Sequence, residues 1–137
     1  MRILVVTPEL PYPPDQGGRI RMLQIIKGLA ANHEVHLVSN VFLPLSDEEN
    51  REIVACCQSV SYVVKPYSLW RSVWRLGKSL LVRKPYILSK YYSVGLSRLV
   101  QTAVTKLNPD CIIFESQYLI ECTQNIDVPV IVDFHDI

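Results

Sequence analysis

The chain has 137 residues, 49% hydrophobic and 20% charged, which is the balance of one folded domain and excludes both a disordered segment and two separate cores. Its net charge of +1 conceals three zones: five basic against seven acidic residues from Met1 to Glu52, nine basic and no acidic from Ile53 to Pro109, and six acidic and no basic from Asp110 to Ile137. Zoning of this kind points to a polar partner or a membrane surface.

In chain order, the first apolar run is Ile3 to Thr7, and Pro8, Pro11, Pro13 and Pro14 interrupt the chain before a signal-peptide core can form. No apolar run approaches the roughly 18 to 20 residues of a membrane span, so the expectation is a cytoplasmic protein. Further β-branched runs lie at Glu34 to Ser39, Val60 to Val64, Cys111 to Glu115 and Val128 to Phe134. Their near-continuous apolar character predicts strands buried on both faces. Helical patterns separate them at Gly18 to Ala31, Ser46 to Gln58, Leu69 to Val82, Ser93 to Leu107 and Gln117 to Asn125. In the first, Met22, Ile26, Leu29 and Ala30 share one face.

Ser46-Asp47-Glu48-Glu49 reads as a capping box, and Asn108-Pro109-Asp110 as a stop followed directly by a strand. The alternation predicts a single α/β domain over residues 1–137, a doubly wound, Rossmann-like parallel sheet with right-handed crossovers. Cys56, Cys57, Cys111 and Cys122 contain no C-x-x-C pair and read as free, mostly buried thiols. His33 and His36, three apart along a strand, leave opposite faces, and no metal is assigned.

In an open α/β sheet, ligands bind beyond the carboxyl ends of the strands. The first such loop, Thr7 to Arg19, is long and stiffened by four prolines, and it ends in Gly17-Gly18 at the start of a helix. Bare backbone amides and the helix dipole there favour a phosphate or diphosphate, although a Gly pair also serves a plain tight turn. Neither G-x-G-x-x-G nor G-x-x-x-x-G-K-[ST] is present, so a standard NAD or ATP site is not expected.

The opening, Met1-Arg-Ile-Leu-Val-Val-Thr-Pro-Glu-Leu-Pro-Tyr-Pro-Pro-Asp-Gln-Gly-Gly-Arg-Ile-Arg21, resembles the amino-terminal start of family 4 retaining glycosyltransferases of the GT-B fold. Pro109-Asp-Cys-Ile-Ile-Phe-Glu115 and Pro129-Val-Ile-Val-Asp-Phe-His-Asp136 resemble the succeeding strands of the same family. The resemblance implies the N-terminal, acceptor-side domain of a two-domain GT-B architecture. The family's donor-binding C-terminal domain, with its pair of Glu residues eight positions apart, is expected to be absent, and the isolated chain inactive.

On that resemblance the reaction is transfer of a sugar from a nucleotide-sugar, a co-substrate and not a resident cofactor, to a glycan or lipid-linked acceptor. Gly17 and Gly18, with Arg19, would approach the donor diphosphate, and His135 matches the family's histidine beside the donor sugar. Its imidazole can hydrogen-bond a sugar hydroxyl or orient groups around a developing oxocarbenium ion. Tyr12, Asp15, Glu115 and Asp136 are candidates to line the acceptor site.

The Leu69 to Val82 pattern places Leu69, Trp70, Val73, Trp74, Gly77, Leu80 and Leu81 on one arc and Arg71, Arg75 and Lys78 on the other. Such a helix can pack its apolar face on the sheet, or rest Trp70, Trp74 and the cations on an anionic membrane surface, giving peripheral attachment at the inner membrane face. The aromatics here follow no nucleic-acid signature and acidic zones flank them, so no nucleic acid is expected. The alternative to an enzyme half is a non-catalytic α/β binding or membrane-recruitment module. A phosphoacceptor signalling domain fits less well, because Thr7-Pro8 stands where a Mg²⁺ site would need paired acidic residues.

Overall fold

The computed structural model describes residues 1–42, 46–65, 91 and 93–134, without the side chains of 48–50. Five parallel strands form one sheet in the order β3-β2-β1-β4-β5: β1 Arg2–Thr7, β2 Glu34–Val41, β3 Ser59–Val64, β4 Cys111–Phe114 and β5 Val130–Val132. The described helices include α1 Gly17–Ala30, α2 Asp47–Cys56 and α3 Val94–Leu107, with a 3-10 helix at Gln117–Thr123. This is the doubly wound, Rossmann-like α/β sheet that the alternation of apolar runs predicts.

The period of two along each strand sorts the core into two layers. Ile3 and Val5 of β1 and Val35 and Leu37 of β2 pack with Leu23 and Ile26 of α1 and Ile53 of α2. Leu4, Val6, Ile112 and Phe114 turn to the other face and pack with Leu96 and Val100 of α3 and with Leu119 and Cys122 of the 3-10 helix. The central strands are buried on both faces as expected. The edge strands are not: Tyr62 and Val64 of β3 and Ile131 of β5 are exposed, because each edge has a neighbour on one side only among the described residues.

Local chemistry sets the boundaries. Ser93 caps α3 by accepting from the Leu96 N–H at 3.1 Å. Asn108 ends it in the left-handed region at φ 45°, its N–H donating to the Val104 carbonyl. Asp110 then joins β4 to β1, since its carboxylate accepts from the Arg2 N–H at 2.6 Å and its own N–H donates to the Arg2 carbonyl at 2.9 Å. Ser46 directly precedes α2, while the Glu49 side chain of the capping box lies outside the described atoms.

Three sequence expectations need adjustment. The predicted helix Gln117 to Asn125 is a shorter 3-10 helix, and β5 covers three residues where Val128 to Phe134 was expected. His33 precedes β2 and is not on it, whereas His36 is buried between Ser59 Oγ at 2.7 Å and Glu34 Oε1 at 3.1 Å. The four cysteines are free, with Cys111 and Cys122 buried and Cys56 and Cys57 half-buried. No described helix is long and apolar enough to cross a membrane, and the predicted helix Leu69 to Val82 lies outside the described residues.

Candidate functional site

Strand order reverses between β1 and β4, since β2 and β3 extend the sheet to one side of β1 and β4 and β5 to the other. The carboxyl ends at that reversal are where an open α/β sheet takes its ligand. Among the described residues the buried polar ones gather there: Thr7, Ser39, Asn40, Glu115 and Ser116 are all at the carboxyl ends of β1, β2 and β4, and only His36 of this set is elsewhere. Burying polar groups costs free energy that an apolar edge would not, so their concentration at one edge marks it for a purpose other than packing.

The loop after β1 is pinned from both ends. Leu10 is buried and Tyr12 packs against the α1 layer, with a cis peptide bond between Tyr12 and Pro13. Arg19, in the first turn of α1, reaches back to Glu9 at 3.2 Å and Asp15 at 3.0 Å. Burial alone would lower the Arg19 pKa, but the hydrogen bond and charge of Glu9, reinforced by Asp15, outweigh it and hold the guanidinium charged. Of the predicted ligand residues, Arg19 and Asp15 are therefore engaged with each other, and both serve to shape the loop.

Gly17 and Gly18 open α1, and among the described residues no atom beyond their chain neighbours and their own helix backbone lies within 4 Å of where a Cβ would stand on either. Neither has positive φ, so the left-handed conformations open to glycine are not what places them here. Gln16 at the N-cap makes no side-chain cap, which leaves the first amides of α1 without a cap from that residue. Beside this helix start, Arg21 donates to Asp133 Oδ2 at 2.6 Å and thereby ties α1 to the end of β5. Glu115 has no exposed surface, and burial first, then the charge of Asp133, push its carboxyl up to about 7, with Arg21 opposing.

On the other face of the sheet, Asn40 Nδ2 donates to the Pro8 carbonyl at 3.0 Å and to the Tyr91 carbonyl at 2.9 Å. Lys65 Nζ donates to the same Tyr91 carbonyl at 2.9 Å. The Tyr91 ring stacks on Tyr118 with centroids 5.7 Å apart and meets Phe42 edge-on at 6.3 Å. Residues 65 and 91, which flank the basic, tryptophan-bearing stretch, are thus brought together at the carboxyl end of the sheet.

Gly17, Gly18, Arg19, Tyr12 and Asp15 come together around the start of α1, and Glu115 lies buried on the neighbouring strand. His135 and Asp136 lie outside the described residues, as do Trp70, Arg71, Trp74, Arg75 and Lys78. Sequence reasoning missed Arg21, Asp133, Ser39, Asn40, Lys65 and Tyr91. The only signal for the first two was that each is charged and close in sequence to a predicted site residue. Among the described residues, no group of three or more His, Cys, Asp or Glu can hold a metal. Burial pushes the Cys57 thiol up to about 12 and Cys122 up to about 11, so neither supplies a thiolate.

Two grooves lie at the opposite end of the sheet, one lined by Lys27, His33, Cys57 and Gln58 and the other by Arg2, His33, Asn108 and Asp110. That end carries the carboxyl termini of the helices, whose dipoles oppose an anion, and we place the candidate site at the other.

The chain matches no family model and no curated protein. Its fold is similar to the C-terminal domain of a hydrogenase from Pyrococcus furiosus, with 13% identity, a TM-score of 0.55, and coverage of 97% of this chain and 91% of that one. A universal stress protein family protein from Arabidopsis thaliana, with AMP bound, is matched at 12% identity and a TM-score of 0.44, covering 99% of this chain and 92% of that one. The first likeness shows the α/β fold alone, and neither lends support to the glycosyltransferase resemblance.

Proposed function

We propose that the chain is the acceptor-side domain of a family 4 retaining glycosyltransferase, which moves a sugar from a nucleotide-sugar to a glycan or lipid-linked acceptor. The observation that carries this reading is the placement of the buried polar edge beside the Gly17-Gly18 helix start, at the reversal of strand order. In the reaction the bond between sugar C1 and the diphosphate breaks, the acceptor hydroxyl oxygen takes the place of the leaving group on the same face, and the hydroxyl proton passes to the departing diphosphate. The first amides of α1 oppose the negative charge that gathers on the departing diphosphate. His135, two residues beyond the Asp133 that Arg21 holds, orients the sugar, and Tyr12 and Asp136 contact the acceptor.

Transfer on this reading also requires a donor-binding domain, so binding is the property to measure. Calorimetry with a set of uridine, guanosine and adenosine diphosphate sugars tests it. At least one should bind, and His135→Ala should weaken that binding about tenfold, the worth of one hydrogen bond to a polar ligand. Binding that is indifferent to His135→Ala contradicts the assignment.

A further inference from the structure

Four polar side chains cross the sheet in one row at its carboxyl edge. Thr7 stands opposite Ser39 in the β1–β2 register, and Glu115 and Asp133 come one step beyond the pairs Val6–Phe114 and Phe114–Val132. The ladder continues through them, since the Glu115 N–H donates to the Val6 carbonyl and the Asp133 N–H to the Phe114 carbonyl, both at 2.9 Å. Alternation along the strands puts the row on the face that α1 covers, where Arg21 reaches Asp133. Thr7 Oγ1 donates to Ser39 Oγ at 2.9 Å, which closes the row at its β2 end.

Among the described residues, the charged groups acting on Glu115 are Asp133 from β5 and Arg21 from α1. From β1 its neighbour in the row is the uncharged Thr7. Among the described residues, two carboxyl groups on adjacent strand ends therefore face the Arg21 guanidinium, and the inner carboxyl is shut off from water.

We propose that Glu115 and the Arg21–Asp133 ion pair form a proton-operated clamp that joins the start of α1 to the end of β5, closed while Glu115 carries its proton and loosened when it does not. With Glu115 neutral, Arg21 serves Asp133 alone. Once Glu115 ionises, a second negative charge stands beside Asp133, repels it and competes for the same guanidinium. Glu115 cannot reach water without movement, whereas the Arg21 side chain is half exposed, so the adjustment falls on Arg21 and the end of β5.

The two parts joined are the helix that Gly17 and Gly18 open and the strand end two residues before His135. Loosening the clamp separates them and lowers ligand affinity; that consequence rests on the functional reading above, while the clamp itself does not.

The test is a titration of the whole chain by nuclear magnetic resonance, tracking the Glu115 carboxyl carbon and the amides of Gly17, Gly18 and Asp133. The carboxyl should titrate near pH 7, the value burial and Asp133 give it, and the three amides should shift with the same midpoint. Asp133→Asn should lower that midpoint and Arg21→Gln should raise it. Glu115→Gln, which keeps the side-chain shape, should abolish the amide transitions. Amides that stay flat while the carboxyl titrates, or that shift equally in Glu115→Gln, overturn the clamp. Calorimetry with the nucleotide-sugars at one fixed pH separates the two ideas: binding indifferent to His135→Ala with the coupled titration intact removes the glycosyltransferase reading alone, and binding with flat amides removes the clamp alone.

Discussion

Glu115 is a carboxyl with no exposed surface whose pKa stands near 7, against an ordinary value of 4.5. The folded state therefore holds this proton more tightly than the unfolded state, and stability falls as pH rises from 4.5 to 7 and levels off above. The shift amounts to about 3 kcal/mol. Glu115→Gln removes it, so urea unfolding should show the variant gaining about 3 kcal/mol on the native chain between about pH 4.5 and pH 8. A difference that stays constant with pH would place the Glu115 carboxyl in an ordinary setting. Arg19 makes a second residue-scale case, because its guanidinium binds Glu9 and Asp15 across the proline-rich loop. Arg19→Gln should cost about 1 kcal/mol and speed hydrogen exchange at the Asp15 and Ile20 amides, which hydrogen-bond within this region; unchanged exchange would free Arg19 from its loop-holding role.

At the scale of elements, the strands were legible because β-branched apolar runs of five to seven residues, with turn-forming or charged residues at their ends, admit little else. The edges were less legible. Val128 to Phe134 reads as a central strand, yet β5 pairs only with β4 and keeps three residues in the ladder. Gln117 to Asn125 carries Leu119 and Cys122 as its buried residues, a spacing of three that matches the repeat of a 3-10 helix, and Ser116 starts that turn by accepting from the Tyr118 N–H. Phe114 links β4 to the α3 layer as the largest fully buried side chain among the described residues. Phe114→Ala should cost about 3 to 5 kcal/mol, and Ser93→Ala, which deletes the cap of α3, about 1 kcal/mol. Thermal unfolding of the two variants checks that order, and a Ser93→Ala loss as large as that of Phe114→Ala would shift the source of α3 stability from packing to its cap.

For the whole molecule, the part of the site carried by one stretch of chain was readable, and the part assembled by register was not. Gly17-Gly18 and the prolines before them announce a special loop, whereas Ser39, Thr7, Glu115 and Asp133 form a row only because four parallel strands align their ends. The charge zones were likewise readable, and Lys65 and Tyr91 bring the flanks of the basic stretch to the same edge of the sheet. If the Leu69 to Val82 stretch rests on a membrane, as one reading of its pattern has it, replacing Arg71, Arg75 and Lys78 by Gln should weaken binding to anionic vesicles by about 1 kcal/mol per cation, and vesicle sedimentation with no binding at low salt would remove that reading. On the proposed function, ligand binds at the carboxyl edge beside the start of α1. Amide shift mapping with a bound nucleotide-sugar tests it most directly. The largest changes should fall at Gly17, Gly18, Arg21, Glu115 and Asp133; changes concentrated instead at Lys27, His33, Cys57 and Gln58, in the groove at the opposite end, would contradict it.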